Sequence, residues 1–283
     1  MYFFSKFASK TLILITKMRI NPLSATAICA AFSVLFLTGC GNDDDKNSIS
    51  MSKVNQGVEI QEGTDYEFVD LGLPSGTLWA KCNIGATSPE KPGSFFAWGE
   101  TQTKDIFNTN NYKWCNDGIL HRITKYNVDP DSDLRDDKRD LELADDAANV
   151  IMGEGWQIPT VRQFRELMNS MYCTSKWCKL NGTGGYLFTS VVEGYEGRSI
   201  FIPIVGYKDV DKLRFADERG YYWCNSLYED KTFDEKKKEF VTSIKTLEAS
   251  TFCMEHLDVD NRIIDSRTRY LGLPIRPVLV SGK

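Results

Sequence analysis

Histidine is scarce in this chain of 283 residues: there are two, His121 and His256, far apart in sequence. No Ser-His-Asp arrangement can be proposed from them, and no nucleophile motif accompanies either. Nor does any pair of cysteines show the C-x-x-C spacing of a structural zinc site. No apolar run reaches the roughly 20 residues that span a bilayer. No internal repeat is evident. Basic charge is not in excess: 34 Lys and Arg stand against 39 Asp and Glu, net −5. Polyanionic partners such as nucleic acid are therefore disfavoured. What remains is ordinary globular material, with aromatics at 12% and charged residues at 26%, enough for a core in one large or two modest domains.

The N-terminus reads as a targeting segment. Met18-Arg19 opens a short basic stretch, and Ala27–Leu37 is an apolar run of signal-peptide length. It ends in Leu37-Thr38-Gly39-Cys40, which resembles the lipobox of bacterial lipoproteins. The resemblance implies removal of residues 1–39 and acylation of Cys40, with Met18 as the alternative start. Acyl chains would then hold the protein in the outer membrane, at about 0.8 kcal/mol per buried methylene. Gly41-Asn42-Asp43-Asp44-Asp45 follows. Acidic residues at this place resemble those of lipoproteins exported to the cell surface in Bacteroides-like bacteria; a plain acidic linker facing the periplasm is the alternative. Residues 1–39 hold four cations and no acid, so the mature chain carries 30 basic and 39 acidic residues, net −9.

Residues 40–65 are polar and read as an acidic flexible tether, with one domain following over 66–280. Tyr66–Val69, Thr77–Cys82 and Ser94–Trp98 read as strands. A long irregular region follows to about Arg139, and Asp140–Ile151 reads as one or two helical turns. The firmest element comes next. Pro159 biases Ile158 away from helix, Thr160 stands at an N-cap, and Gln163 has the capping-box spacing. Val161, Phe164, Leu167, Met168 and Met171 then recur at helical spacing. Tyr186–Val192 and Ser199–Val205 read as paired strands. Gly220–Tyr228, Thr251–Leu257 and Arg269–Val280 read as further strands, the last at an edge or bulge because of its prolines. Lys236-Lys237-Lys238 reads as a solvated turn or strand edge. The fold class is α+β, with many short strands, one or two helices and long loops.

Seven motifs occur in order: Asp70-Leu71-Gly72-Leu73-Pro74-Ser75-Gly76-Thr77-Leu78-Trp79-Ala80 with Cys82-Asn83-Ile84-Gly85-Ala86, Phe96-Ala97-Trp98-Gly99-Glu100, Asp145-Asp146-Ala147-Ala148, Gly155-Trp156-Gln157-Ile158-Pro159-Thr160, Gly220-Tyr221-Tyr222-Trp223, and Gly272-Leu273-Pro274-Ile275-Arg276-Pro277-Val278. Together they resemble the Fibrobacter succinogenes major paralogous domain over essentially the whole mature chain. The resemblance implies a C-type-lectin-like fold with short twisted strands, in the branch shared with formylglycine-generating enzymes. It implies a secreted or surface protein and leaves the ligand open. The expected function is non-catalytic binding of an extracellular glycan or protein. A copper oxidase of the formylglycine-generating kind and an envelope assembly component are the alternatives.

Trp79, Trp98, Trp156 and Trp223 lie inside the motifs and are expected in the core. Tyr112, Trp114 and Trp177 lie outside them and are the candidate ligand-contact residues, with a buried loop anchor as the alternative at each. Cys29 leaves with the signal and Cys40 is acylated. The remaining six cysteines allow fifteen pairings, which sequence alone does not resolve. The family motifs favour Cys82 with Cys173, since both lie beside them. An oxidase would need a copper-binding thiol pair late in the domain; Cys173 and Cys178 follow the helix instead, and neither Cys224 nor Cys253 has an Arg-Gly-Gly-Ser-type neighbourhood. Asp129, Asp131, Asp133, Asp137 and Asp140 have the oxygen spacing of a calcium loop, but Leu134 stands where glycine is required. Calcium is the one cofactor to be tested, and no metal site is assigned.

Overall fold

In a computed structural model of the protein, the described residues are 47–119, 122–256 and 263–280. The signal segment, Cys29, Cys40 and His121 lie outside them. Strand exceeds helix, 41% against 12%, so the fold is mixed but mostly β.

The capped helix forms as its residues dictate. Helix α3, Val161–Met168, starts at Thr160, whose hydroxyl accepts the Gln163 N–H at 3.1 Å, while the Gln163 side chain accepts the Thr160 N–H at 2.8 Å. Phe164 and Leu167 are fully buried. Phe164 stacks on Phe252 at 4.6 Å and lies 5.2 Å from Trp79. The helix stops one turn earlier than its apolar spacing suggests. Asn169 is extended, and its side chain accepts the Met171 N–H, which leaves Met171 beyond the helix and 69% exposed.

A five-stranded sheet runs β2(Val58–Ile60)–β3(Glu67–Asp70)–β4(Thr77–Ala80)–β14(Val278–Val280)–β5(Trp156–Gln157). A four-stranded sheet runs β1(Ser48–Ile49)–β6(Cys173–Leu180)–β7(Thr183–Ser190)–β8(Ser199–Pro203). A long hairpin, β11(Arg219–Asp234) and β12(Glu239–Glu255), carries β13(Ile263–Thr268) beside its proximal half. A small ribbon, β9(Tyr207–Asp209) with β10(Lys212–Arg214), pairs separately. Two short helices, α1(Met51–Val54) and α2(Ala147–Met152), complete the set.

The domain begins at Asn47 rather than near Tyr66, which corrects the expected extent of the tether. Strand β1 pairs in parallel with β6, β2 pairs with β3, and Val54 is 1% exposed against Leu180 and Phe201. The segment is polar on average. Its few apolar side chains are spaced so that Ile49, Met51 and Val54 all reach this one small core. Strand β6 is a further departure, since its residues CTSKWCKL show no apolar run. Ser94–Trp98 makes a single bridge, Phe96 to Leu273, rather than a strand. Of Arg269–Val280 only β14 is a strand, because Pro274 and Pro277 cannot donate to a ladder.

The four motif tryptophans are fully buried, as expected. Three of them spend their indole N–H on carbonyl or side-chain oxygens: Trp98 on Cys224, Trp223 on Phe96 and Trp156 on the Gln61 side chain. Gly72 shows why that motif needs glycine. Its φ is +67°, and a Cβ there would stand 2.4 Å from the Tyr195 ring.

Candidate functional site

The long hairpin does not run straight, and its irregularity helps to build an open groove. From Trp223 to Leu227, β11 advances four residues while β12 advances two; from Leu227 to Tyr228, β12 advances four while β11 advances one. Each excess frees backbone groups that need partners elsewhere. On β11, the Asn225 N–H donates to the Pro159 carbonyl at 3.0 Å, the Leu141 N–H to the Asn225 carbonyl at 2.8 Å, and the Leu227 N–H to the Arg139 carbonyl at 2.8 Å. The bulge therefore fixes the start of α3 and the segment 139–141 side by side.

On β12 the freed carbonyls meet Arg269. Its N–H donates to Leu247 at 3.2 Å and its guanidinium to Thr246 at 3.0 Å. The same guanidinium donates to the carbonyls of Lys125 and Tyr126 and to the Tyr112 hydroxyl. Arg269 is 1% exposed and has no carboxylate partner among the described residues, so carbonyl dipoles carry the neutralisation of its charge.

Between the β11 bulge, the 139–141 segment and the start of α3 lies an open groove of about 820 Å3. Arg139 and Asp140 line it from the loop, Arg162 and Arg165 from α3, and Tyr228 and Asp230 from β11. Asp230 pairs with Lys245 at 3.2 Å, and Arg162 with Glu166 at 3.1 Å. Burial, with help from Asp230, Asp265 and Glu248, pushes the Tyr228 phenol up from its usual range. At neutral pH it is a hydroxyl able both to donate and to accept. The groove thus offers an aromatic face, hydroxyl and amide groups, and charges of both signs.

The expected contact residues are placed differently. Tyr112 is buried, its hydroxyl donating to the Trp98 carbonyl at 2.8 Å, so it is an anchor for the loop and not a contact surface. Trp114 and Trp177 are half-buried but belong to separate parts of the fold. Trp114 packs on Tyr126 and donates to the Gly99 carbonyl, with Lys113 4.2 Å above its ring. Trp177 packs on Tyr186 and lies 4.1 Å from His256. Neither lines the groove. Arg139, Arg165 and Tyr228, which do, have no local signature: the arginines read as ordinary polar positions, and only the bulge brings them together.

The six described cysteines are all thiols, which corrects the expected Cys82–Cys173 bridge. Cys82 faces a second cavity of about 550 Å3 beside Tyr66 and Met152, while Cys173 is sealed in the core with Phe164 and Phe188. Five residues apart on β6, Cys173 and Cys178 point to opposite faces and enter different core clusters. Cys224 and Cys253 are likewise divided between clusters. Burial pushes Cys173 up to about 12 and Cys178 and Cys253 to about 11, so these thiols stay protonated at neutral pH.

The acidic loop binds its own backbone. Asp136 accepts the N–H groups of Tyr126, Asn127 and Lys138, Asp129 accepts that of Asp131, and Arg135 pairs with Asp137. Among the described residues no three His, Cys, Asp or Glu side chains converge as metal ligands, and no described helix is long and apolar enough to cross a membrane. No family model, curated protein or solved structure matches the chain.

Proposed function

We propose that this chain is a lipid-anchored, surface-exposed lipoprotein whose domain binds an extracellular ligand, a glycan or a protein, without catalysing a reaction on it. The observation that carries the binding role is the groove between α3, the 139–141 segment and the bulged hairpin. It is open and mixed in polarity, and an aromatic ring stands among hydroxyls, an amide and charges, which suits recognition of a polar ligand. The lipobox-like order ending in Cys40 supports the anchor and the address.

The finer fold, a C-type-lectin-like domain of the Fibrobacter succinogenes major paralogous kind, belongs to the same proposal. The seven ordered motifs support it. Their residues occupy positions that suit their chemistry: Gly72 under Tyr195, Asp146 and Thr160 as helix caps, and Arg276 donating to the carbonyls of Ala80, Lys81 and Phe201.

A glycan array and a pull-down from outer-membrane extract test the reading together, each run beside a Tyr228→Ala variant. Ligands retained by the parent chain and lost at least ten-fold by the variant are expected. Retention of every ligand by the variant would remove the groove from the proposal, and an empty array with an empty pull-down would remove the binding role.

A further inference from the structure

Eleven arginines fall among the described residues. Seven form ion pairs: Arg122 with Asp117, Arg135 with Asp137, Arg162 with Glu166, Arg198 with Glu59, Arg214 with Asp209, Arg219 with Glu255 and Arg267 with Asp265. Arg269 and Arg276 are buried and spend their guanidiniums on carbonyl, hydroxyl and amide oxygens. The other two, Arg139 and Arg165, hold no side-chain hydrogen bond or ion pair among the described residues, and both line the same groove. In a chain whose acids outnumber its bases, two guanidiniums without a direct partner in one concave site are not a surface average.

A guanidinium presents a planar fork that matches a carboxylate with two parallel hydrogen bonds. We propose that the groove takes an acidic saccharide, with Arg139 and Arg165 holding carboxylates of its uronate residues. This rests on the binding reading above and names its ligand class. The rest of the lining separates an acidic sugar from an acidic peptide. Asp140 and Glu229 also line the groove, and neither side chain has a hydrogen bond or ion pair there. Sugar hydroxyls donate to such carboxylates, a kind of donor that the ionised side chains of a polyacidic peptide lack. Tyr228 supplies a ring face for the apolar side of a pyranose and a hydroxyl for its rim.

The test is titration calorimetry on the full chain with oligogalacturonate, oligomannuronate and hyaluronan oligosaccharides, each beside its carboxyl-reduced neutral counterpart. At least one acid form is expected to bind ten-fold or more tightly than its reduced form and to weaken as salt is raised. The Arg139→Gln/Arg165→Gln double variant, exposed at both positions, is expected to lose that preference with its thermal midpoint unchanged. Arg162→Gln, whose guanidinium already pairs with Glu166, is expected to keep it. Equal binding of acid and reduced forms, or a preference that survives in the double variant, would overturn the proposal while leaving groove binding intact. Displacement of the acid forms by hexaglutamate at equal concentration would overturn it in favour of an acidic protein. If no acid form binds, the proposal falls; if the glycan array and the extract pull-down are also empty, the binding reading falls with it.

Discussion

Asp145 and Asp146 are chain neighbours, both buried, and their carboxyl groups are driven in opposite directions. Burial alone would raise Asp145, but hydrogen bonds from Lys125, Lys113 and Tyr126 outweigh it and hold the group below its ordinary range. Asp146 has no cation beside it. It caps α2 through the N–H groups of Ala148 and Asn149 and reaches Ile158, yet burial dominates and pushes it up to about 6.

The pair predicts a stability curve with two slopes. Asp146 is raised in the folded state, so its contribution is full below about pH 4 and is lost as pH rises through about 6, on the order of 3 kcal/mol. Asp145 is lowered, so its contribution is present above about pH 4 and is lost as pH falls through its folded value. Thermal midpoints across pH 3–7 are expected to show both. Asp146→Asn should flatten the slope between about 4 and 6, and Asp145→Asn the slope below it. Unchanged slopes in the variants would disprove the assignment.

Arg269 holds the β12 bulge to the loop that carries Tyr112 and Tyr126. Arg269→Leu leaves several buried acceptors without a donor and is expected to cost roughly 3 kcal/mol or more in urea unfolding. Tyr112→Phe removes the hydroxyl that accepts from Arg269 and donates to the Trp98 carbonyl, and should cost about 1–3 kcal/mol.

The helix supplies a graded series. Thr160→Ala removes the cap and is expected to cost about 1 kcal/mol, with Thr160→Ser near neutral. Phe164→Ala empties the space between Trp79 and Phe252 and should cost about 3–5 kcal/mol. A smaller loss for Phe164→Ala than for Thr160→Ala would contradict the packing described.

The cysteines give a mass-mapping prediction. Under native conditions iodoacetamide should label Cys82, the half-buried thiol, and leave the five buried ones untouched. All six should react once the chain is unfolded without reductant. Recovery of any disulfide-linked peptide pair would refute the thiol state.

The proposed lipid anchor is tested at Cys40. Cys40→Ala is expected to abolish incorporation of labelled palmitate and to move the protein out of the membrane fraction. Continued labelling of the variant would refute the assignment.

Local chemistry made much of the scaffold legible in advance. Thr160 and Gln163 sit three residues apart, and each satisfies a backbone group of the other, so the start of α3 needed no distant information. The same is true of the motif tryptophans, whose size and apolarity admit few homes outside a core. Tyr112 is the opposite case: in a polar, irregular stretch it reads equally as a contact residue or a loop anchor, and the Trp98 carbonyl together with Arg269, 157 residues away, holds its hydroxyl inside.

What the sequence determined by itself was therefore the set of short-range decisions: the capped start of α3 and the buried indoles. What only the tertiary structure decided was pairing. Strand β6 exists because β7 and β1 flank it, although its own residues do not ask for a strand. The groove exists because the bulge in β11 sheds its hydrogen bonds onto Pro159, Arg139 and Leu141. A strand's partners lie far along the chain, and a bulge is defined by both strands at once. No window of neighbouring residues contains that information, so the site waits on the fold.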